Sequence, residues 1–244
     1  MEQGSRLAGT VRPGGRTAKV RAAVLQATQD ELVERGFHGL NMEQVATRAG
    51  IGKTTIYRRW GTTAGLVTEL MTELAAQSSP PPDTGSIQGD LEANAISVME
   101  AVNDPRLGAT FQAVIAAATC DEGAAAALRA FYGRRISEWA TVADQAIARG
   151  DLPPGTDGQE LIKAVSAPLY YRLVVTREPV DREAAVRAVT VALIAARAGA
   201  FVTGPAAAGV GADPGVPGLG VEPAVPGVST GPAATGATAT RTTR

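Results

Sequence analysis

The chain has 244 residues, 45% of them hydrophobic, a formal net charge of −1, one cysteine and one histidine. That is enough apolar material for a core in one or two domains; the near-neutral total excludes a polycationic coat for nucleic acid, and a single cysteine excludes an internal disulfide. No apolar run reaches the roughly 18–20 residues that span a bilayer, and the polar N-terminal stretch has no signal-peptide core, so a cytoplasmic protein with no membrane partner is expected.

Residues 1–16 are polar and Gly-rich and read as a disordered arm. Arg6, Arg12 and Arg16 could reach a DNA groove, although a plain solvated tail accounts for them equally well. A first helix is expected over 17–35, with Val24, Leu25, Thr28 and Leu32 on one face and Gly36 closing it. Phe37 and Leu40 then pack the following loop. His38 has no second ligand nearby and reads as a loop residue rather than a metal ligand.

Residues 41–60, NMEQVATRAGIGKTTIYRRW, carry the strongest pattern in the chain. Asn41 can cap a helix over 42–49, and Gln44 can close a capping box with it. Val45, Ala46 and Ala49 face inward, Gly50 provides the turn and Ile51 fills the gap. A second short helix over 53–59 turns Ile56 and Trp60 inward and leaves Lys53, Thr54, Thr55, Tyr57 and Arg58 outside. This is helix-turn-helix layout. From Arg48 to Trp60 every ionised residue is basic, which suits phosphate contact. An ordinary αα-hairpin with a solvated basic face is the plainer alternative.

Gly36-Phe37, Asn41-Met42, Val45-Ala46 and the run from Ala49 to Trp60 resemble the N-terminal signature of the TetR family of bacterial transcription regulators, in register over residues 17–75. The resemblance implies an all-α protein of about nine helices. A three-helix DNA-binding domain would be followed by a helical-bundle domain for ligand binding and dimerisation, with repression usually relieved by a small molecule. Asn41, Met42, Arg48, Gly52, Lys53, Thr54, Thr55, Tyr57 and Arg58 form the candidate DNA-contact set; the resemblance puts Lys53 and Tyr57 chiefly on phosphates. Two departures stand out. Gly52 occupies a position where the family often has Ser or a similar cap. Gly61-Thr62-Thr63 replaces Pro-Ser-Lys and so lacks a phosphate-binding lysine.

The charge distribution agrees with a head that meets DNA. Residues 1–60 hold ten Lys and Arg against five acids, and the remainder thirteen against nineteen. A fourth helix, 63–77, carries the apolar stripe Leu66, Val67, Leu70, Met71 and Leu74, and by resemblance links head to body. The prolines of 78–86 mark the boundary. The head is thus assigned to 17–77 and the body to 87–202.

Within the body, helices are expected over 87–103, 105–119, 122–149, 159–177 and 182–200, with a kink or break near Ala167 because of Pro168. On the last helix Val186, Val189, Ala192, Leu193 and Ala196 form one side. By resemblance the last two helices pair with their twins in a homodimer; a self-contained bundle is the alternative. Residues 203–244 contain fifteen Gly or Pro and no aromatic, and read as a disordered tail.

Catalysis finds little support. Cys120 sits in an Ala-rich stretch and reads as a small core residue, and about 80 positions separate it from His38. No phosphate-cradling Gly motif follows a strand. The chain is therefore expected to be a binding protein without a cofactor rather than an enzyme. Met99, Phe111, Phe131, Tyr132, Trp139, Tyr170 and Tyr171 are as a group candidates for a ligand-cavity lining, although each taken singly reads first as ordinary core. The functional expectation is a homodimeric regulator of a palindromic DNA operator, a repressor released by a small-molecule effector. An activator of the same fold, or a helical small-molecule-binding protein or enzyme without a DNA role, are the alternatives.

Overall fold

The computed structural model describes residues 15–203. Among them nine α-helices follow one another without a β-strand: α1 (Gly15–Arg35), α2 (Met42–Arg48), α3 (Lys53–Trp60), α4 (Thr63–Gln77), α5 (Ile87–Asn103), α6 (Pro105–Ala117), α7 (Glu122–Arg149), α8 (Gly158–Tyr171) and α9 (Arg182–Arg197). A π turn, Arg172–Thr176, separates α8 from α9. Arg6, Arg12 and the tail from residue 204 lie outside the described residues, as does the Arg16 side chain.

The helix starts are written in short polar side chains. Asn41, Thr62, Ser86, Asp104, Asp121, Asp157 and Asp181 each accept hydrogen bonds from backbone N–H groups of the turn they open. Pro105 occupies the first turn of α6, where its missing N–H costs nothing. Only α3 among these starts on a residue without a cap, Gly52.

Two cores divide the molecule. The first joins α1 to α4 with α6 and the start of α7; Val24, Leu32, Val45, Ile56, Leu66, Leu70, Phe111 and Phe131 belong to it. The second joins α5, the end of α7, α8 and α9, through Leu91, Trp139, Leu161, Val165, Val189 and Leu193. The expected head therefore has no core of its own: its helices share one with α6 and α7. α4 lies along α7 and also touches α1 and α3. Arg21 of α1 pairs with Glu69 and Glu73 on α4, tying the two helices across their exposed edges.

Several expectations need correction. α1 begins two residues early, so the expected arm ends at residue 14. The capping box at Asn41 does not close reciprocally: Gln44 accepts instead from Arg35, at 2.5 Å. α8 does not break at Ala167. It continues past Pro168 and opens only at residues 172–176, where the backbone widens to a π turn and ends on Arg177 with φ 56°. α6 and α9 end at residues 117 and 197, ahead of expectation, and Gly199 turns with φ 82°. Val186 is 39% exposed rather than inward, because Ala185, Ala188, Val189 and Ala192 form the buried side of α9. After α9, Phe201 O accepts from Asp157 N–H at 2.7 Å and Gly155 O from Thr203 N–H at 3.0 Å, fastening the segment to the α7–α8 loop.

The N-terminal ends of α4 and α7 approach closely at Ala64 and Gly123. A β-carbon at Gly123 would stand 2.5 Å from Cβ of Ala64, which has no room to retreat. Gly123→Ala is therefore expected to destabilise the protein by about 1–3 kcal/mol through overpacking. A thermal melt checks this, with the melting temperature falling by several degrees.

Candidate nucleic-acid interface and ligand cavity

The turn between α2 and α3 is a helix C-cap of defined geometry. Gly50 takes φ +67°, which a β-carbon would strain. Its neighbour Ile51 donates to Ala46 O at 3.0 Å, the six-to-one bond of a Schellman motif. The chain is thereby turned sharply, and Val45, Ala46, Ile56 and Trp60 close the inside of the corner. The opposite side of α3 stays in solvent: Lys53, Thr54, Tyr57, Arg58 and Arg59 are exposed and Thr55 is half-buried. The Arg59 guanidinium lies 4.9 Å from the centroid of the Trp60 ring.

The candidate contact residues separate into two groups. Lys53, Thr54, Thr55, Tyr57 and Arg58 share the outer side of α3, with Gly52 at its start and Asn41 exposed nearby as the α2 cap. Met42 and Arg48 stand apart. Met42 is only 5% exposed because it faces the first core. Arg48 is held by α1: its two terminal nitrogens grip Glu34, each at 2.6 Å, and Nε lies 3.0 Å from Glu31. Glu31 is 2% exposed, so Arg48, together with Arg35 at 3.4 Å, neutralises a buried carboxylate. It braces α2 against α1 rather than offering a free guanidinium.

The outer face is also less purely basic than residues 48–60 suggested. Glu43 of α2 reaches Lys53 Nζ at 2.5 Å. Both groups are largely solvated, so the pair is weak, and a phosphate can replace the carboxylate.

A cavity of about 760 Å³ is lined by the end of α4 and by residues of α5, α6, α7 and α8. Phe111, Phe131, Tyr132, Trp139 and Tyr170 line it. Four of these rings form one cluster: Phe111–Phe131, Phe131–Tyr132 and Tyr132–Tyr170 each have centroids 5.2 Å apart, the last two edge to face. Burial, and then the neighbouring Tyr170 hydroxyl, push the Tyr132 phenol above its ordinary value. Burial also raises Tyr170, partly offset by the Tyr132 hydroxyl and by Arg135. The two hydroxyls perturb each other but fall outside hydrogen-bond geometry, leaving Tyr132 Oη without a protein partner.

Met99 and Tyr171 were expected here and lie elsewhere. Met99 packs against the second core, while Val98 and Ala101 take the cavity side of α5. Tyr171 follows Tyr170 by one residue, about 100° round the helix, and is 56% exposed.

Residues 24–70 match the family model for bacterial regulatory proteins of the tetR family, and residues 81–192 match that for the tetracyclin repressor-like C-terminal domain. The chain belongs to the TetR family. It is accordingly a helix-turn-helix transcription regulator and not an enzyme. Among curated relatives, YdeS of Bacillus subtilis is 29% identical over 160 residues, covering 65% of this chain and 80% of its own. AqdR of Rhodococcus erythropolis is 27% identical over 147 residues, covering 60% and 70%. Both are named HTH-type transcriptional regulators. Among solved structures, the TetR family regulator SCO0332 superposes with a TM-score of 0.60 at 29% identity, covering 72% of this chain and 97% of its own.

In this TetR-family chain the fold also assembles groups that were not expected to meet. Cys120 is exposed at the α6–α7 turn, not in the core. Its Sγ lies 3.8 Å from His38 Nε2, across 82 positions of sequence. Arg135 lines the cavity and was not among the expected residues. Its signal lay in its register: of the two arginines at 134 and 135, Arg135 stands three residues after Tyr132 and four before Trp139, on their side of α7. At the two departures from the family pattern, Gly52 leaves α3 without a side-chain cap, and Thr62 caps α4 by accepting from Gly65 N–H at 3.1 Å.

Lys53→Ala is expected to weaken binding to every DNA sequence and to reduce the slope of log K against log salt by roughly 0.9, one phosphate's share. Glu43→Gln acts in the opposite direction and strengthens binding at low salt. Titrations of a labelled duplex at several salt concentrations check both; an unchanged slope in Lys53→Ala removes its phosphate role.

Proposed function

We propose that the protein is a homodimeric repressor. The outer residues of α3 (Lys53, Thr54, Thr55, Tyr57 and Arg58) enter the major groove of a palindromic operator, and a small molecule in the cavity releases it. Asn41 and Gly52 border that surface. Met42 and Arg48 are left out of the contact set, the first because it is core and the second because α1 occupies its guanidinium.

The observation that carries the reading is the span of α4. Its first residues follow Trp60 at the end of α3 directly, and its last turn lends Leu74, Gln77 and Ser78 to the cavity wall. A solute that favours one placement of α4 thereby biases the placement of α3. This requires unequal affinity for the two placements, since equal affinity shifts nothing. Pairing of two chains is supported by apolar side chains left open on the last helical segments: Tyr171 at 56%, Val175 at 61%, Val191 at 63% and Ile194 at 66% exposure. Large apolar side chains left this exposed favour burial against a partner. Two-fold pairing would present two α3 helices to half-sites one helical turn apart, about 34–36 Å.

Selection from random duplexes is expected to return a palindrome, and sedimentation a dimer; a monomer that ignores duplex DNA at low ionic strength overturns the reading. Ala101→Trp fills the cavity side of α5. In a reporter driven by the selected sequence, this variant is expected to repress like the wild type but to stay repressed under compounds that release the wild type. Reporter output that falls when the gene is deleted would make the protein an activator.

A further inference from the structure

One side of α7 forms a continuous wall of the cavity: Leu128, Tyr132, Arg135, Ile136 and Trp139, at helical spacing. Its chemistry is uneven. An arginine in the middle of an apolar stripe is costly unless it is satisfied, and the Arg135 side chain is only 12% exposed. One terminal nitrogen reaches Glu138 at 2.7 Å and the other the Ser79 carbonyl at 3.3 Å. A guanidinium carries five N–H donors, so these two bonds leave three without a protein partner on a residue that lines the cavity. Glu138 is moreover shared with Arg134, at 2.8 Å, so the three side chains together remain positive.

The rest of the lining has the same bias. Arg129 and Lys163 also line it, each paired with an acid outside the lining (Glu122 at 2.5 Å and Glu160 at 2.6 Å), and no Asp or Glu is among the described residues that line the cavity. The uncharged polar groups add donors. Tyr132 Oη has no partner, and its burial keeps the proton on it. Asn94 is 3% exposed, and its Oδ1 already accepts from the Ser166 hydroxyl at 3.3 Å, which leaves its NH2 free to donate. Donors and positive charge converge here, while nothing acidic would balance a cationic guest.

We infer that the cavity selects an aromatic monoanion of the carboxylate type, its ring among Phe111, Phe131 and Tyr170 and its acidic head against Arg135 and the Tyr132 hydroxyl. The inference rests on the reading of the cavity as the effector site and adds the class of effector. A bidentate guanidinium–carboxylate contact would provide both orientation and affinity. A quaternary ammonium of the same shape is rejected, since it would lose its hydration beside Arg135 without gaining an acceptor.

The test uses the full chain and three probes of one shape: 2-naphthoate, 2-naphthamide and trimethyl(2-naphthyl)ammonium. Titration calorimetry is expected to rank the naphthoate tightest, by about tenfold or more over the amide, as charge-assisted bonds are roughly twice as strong as neutral ones. Arg135→Gln should reduce naphthoate affinity about tenfold and leave the amide unchanged, with Arg135→Lys restoring part of the preference. If Arg135→Gln fails to fold, the ranking of the three probes on the wild-type protein still decides. The amide or the ammonium binding as tightly as the naphthoate overturns the anionic class while leaving ligand control intact. Failure of all three to bind at millimolar concentration also overturns the class. Ligand control then stands or falls separately, on whether Ala101→Trp blocks release by other compounds.

Discussion

Burial of Leu66, Val67, Leu70 and Met71 is the constraint on which the molecule turns. All four are at most 3% exposed, and they place α4 in the same core as α1, α3, α6 and α7. Interiors of this density do not deform continuously; they repack between discrete arrangements. A helix gripped on several sides therefore moves as a unit or not at all. Fifteen residues at about 1.5 Å each give α4 a length of roughly 22 Å, enough for one element to border both the helix-turn-helix and the cavity. That shared border allows chemistry at one end to be felt at the other without a flexible link between them.

Ion pairs reinforce the same arrangement at its edges. Arg106 opens α6 and pairs with Asp30 of α1 at 2.6 Å, while Arg48 of α2 holds Glu31 and Glu34 of the same helix. α6 also lends Leu107, Phe111 and Ile115 to the cavity. α1 is thus a strut between a cavity wall and the helix that supports α3. Such exposed pairs contribute little stability singly. Their role here is orientation: they fix how α1 is turned, and the buried Glu31 makes loss of Arg48 costlier than loss of a surface partner.

Much of this was legible in the residues. Short polar caps at Asn41, Asp104 and Asp121, the turn glycine at position 50 and the stripe of α4 identify elements by local rules, and local rules hold where propensity and packing agree. The failures have a common cause. Met42 and Arg48 belong to the helix-turn-helix by position, but what each side chain touches is decided by α1, which lies outside the motif. Tyr171 failed because Tyr170, Ala167 and Ser166 take the cavity side of α8 and the next residue turns out to solvent. Pro168 predicted a kink or break near Ala167, yet α8 runs on to Tyr171 and the ladder widens only at residues 172–176. His38 and Cys120 meet through the packing of α1 and α6, a contact that no short-range pattern encodes.

Arg135 makes the same point from the other direction. In sequence it interrupts the apolar face of α7, and a local reading would count it as an exposed residue on the turn of the helix. In the fold it is mostly enclosed, and Glu138, its acidic neighbour, is divided between it and Arg134. A structural arginine would be expected to have its own carboxylate and a full set of acceptors, since a buried charge left partly unmatched costs stability. Evolved cores remove such costs unless something else requires them. Arg135 and the unpartnered Tyr132 hydroxyl stand about one helical turn apart on one wall of the cavity, so a single carboxylate could accept from both.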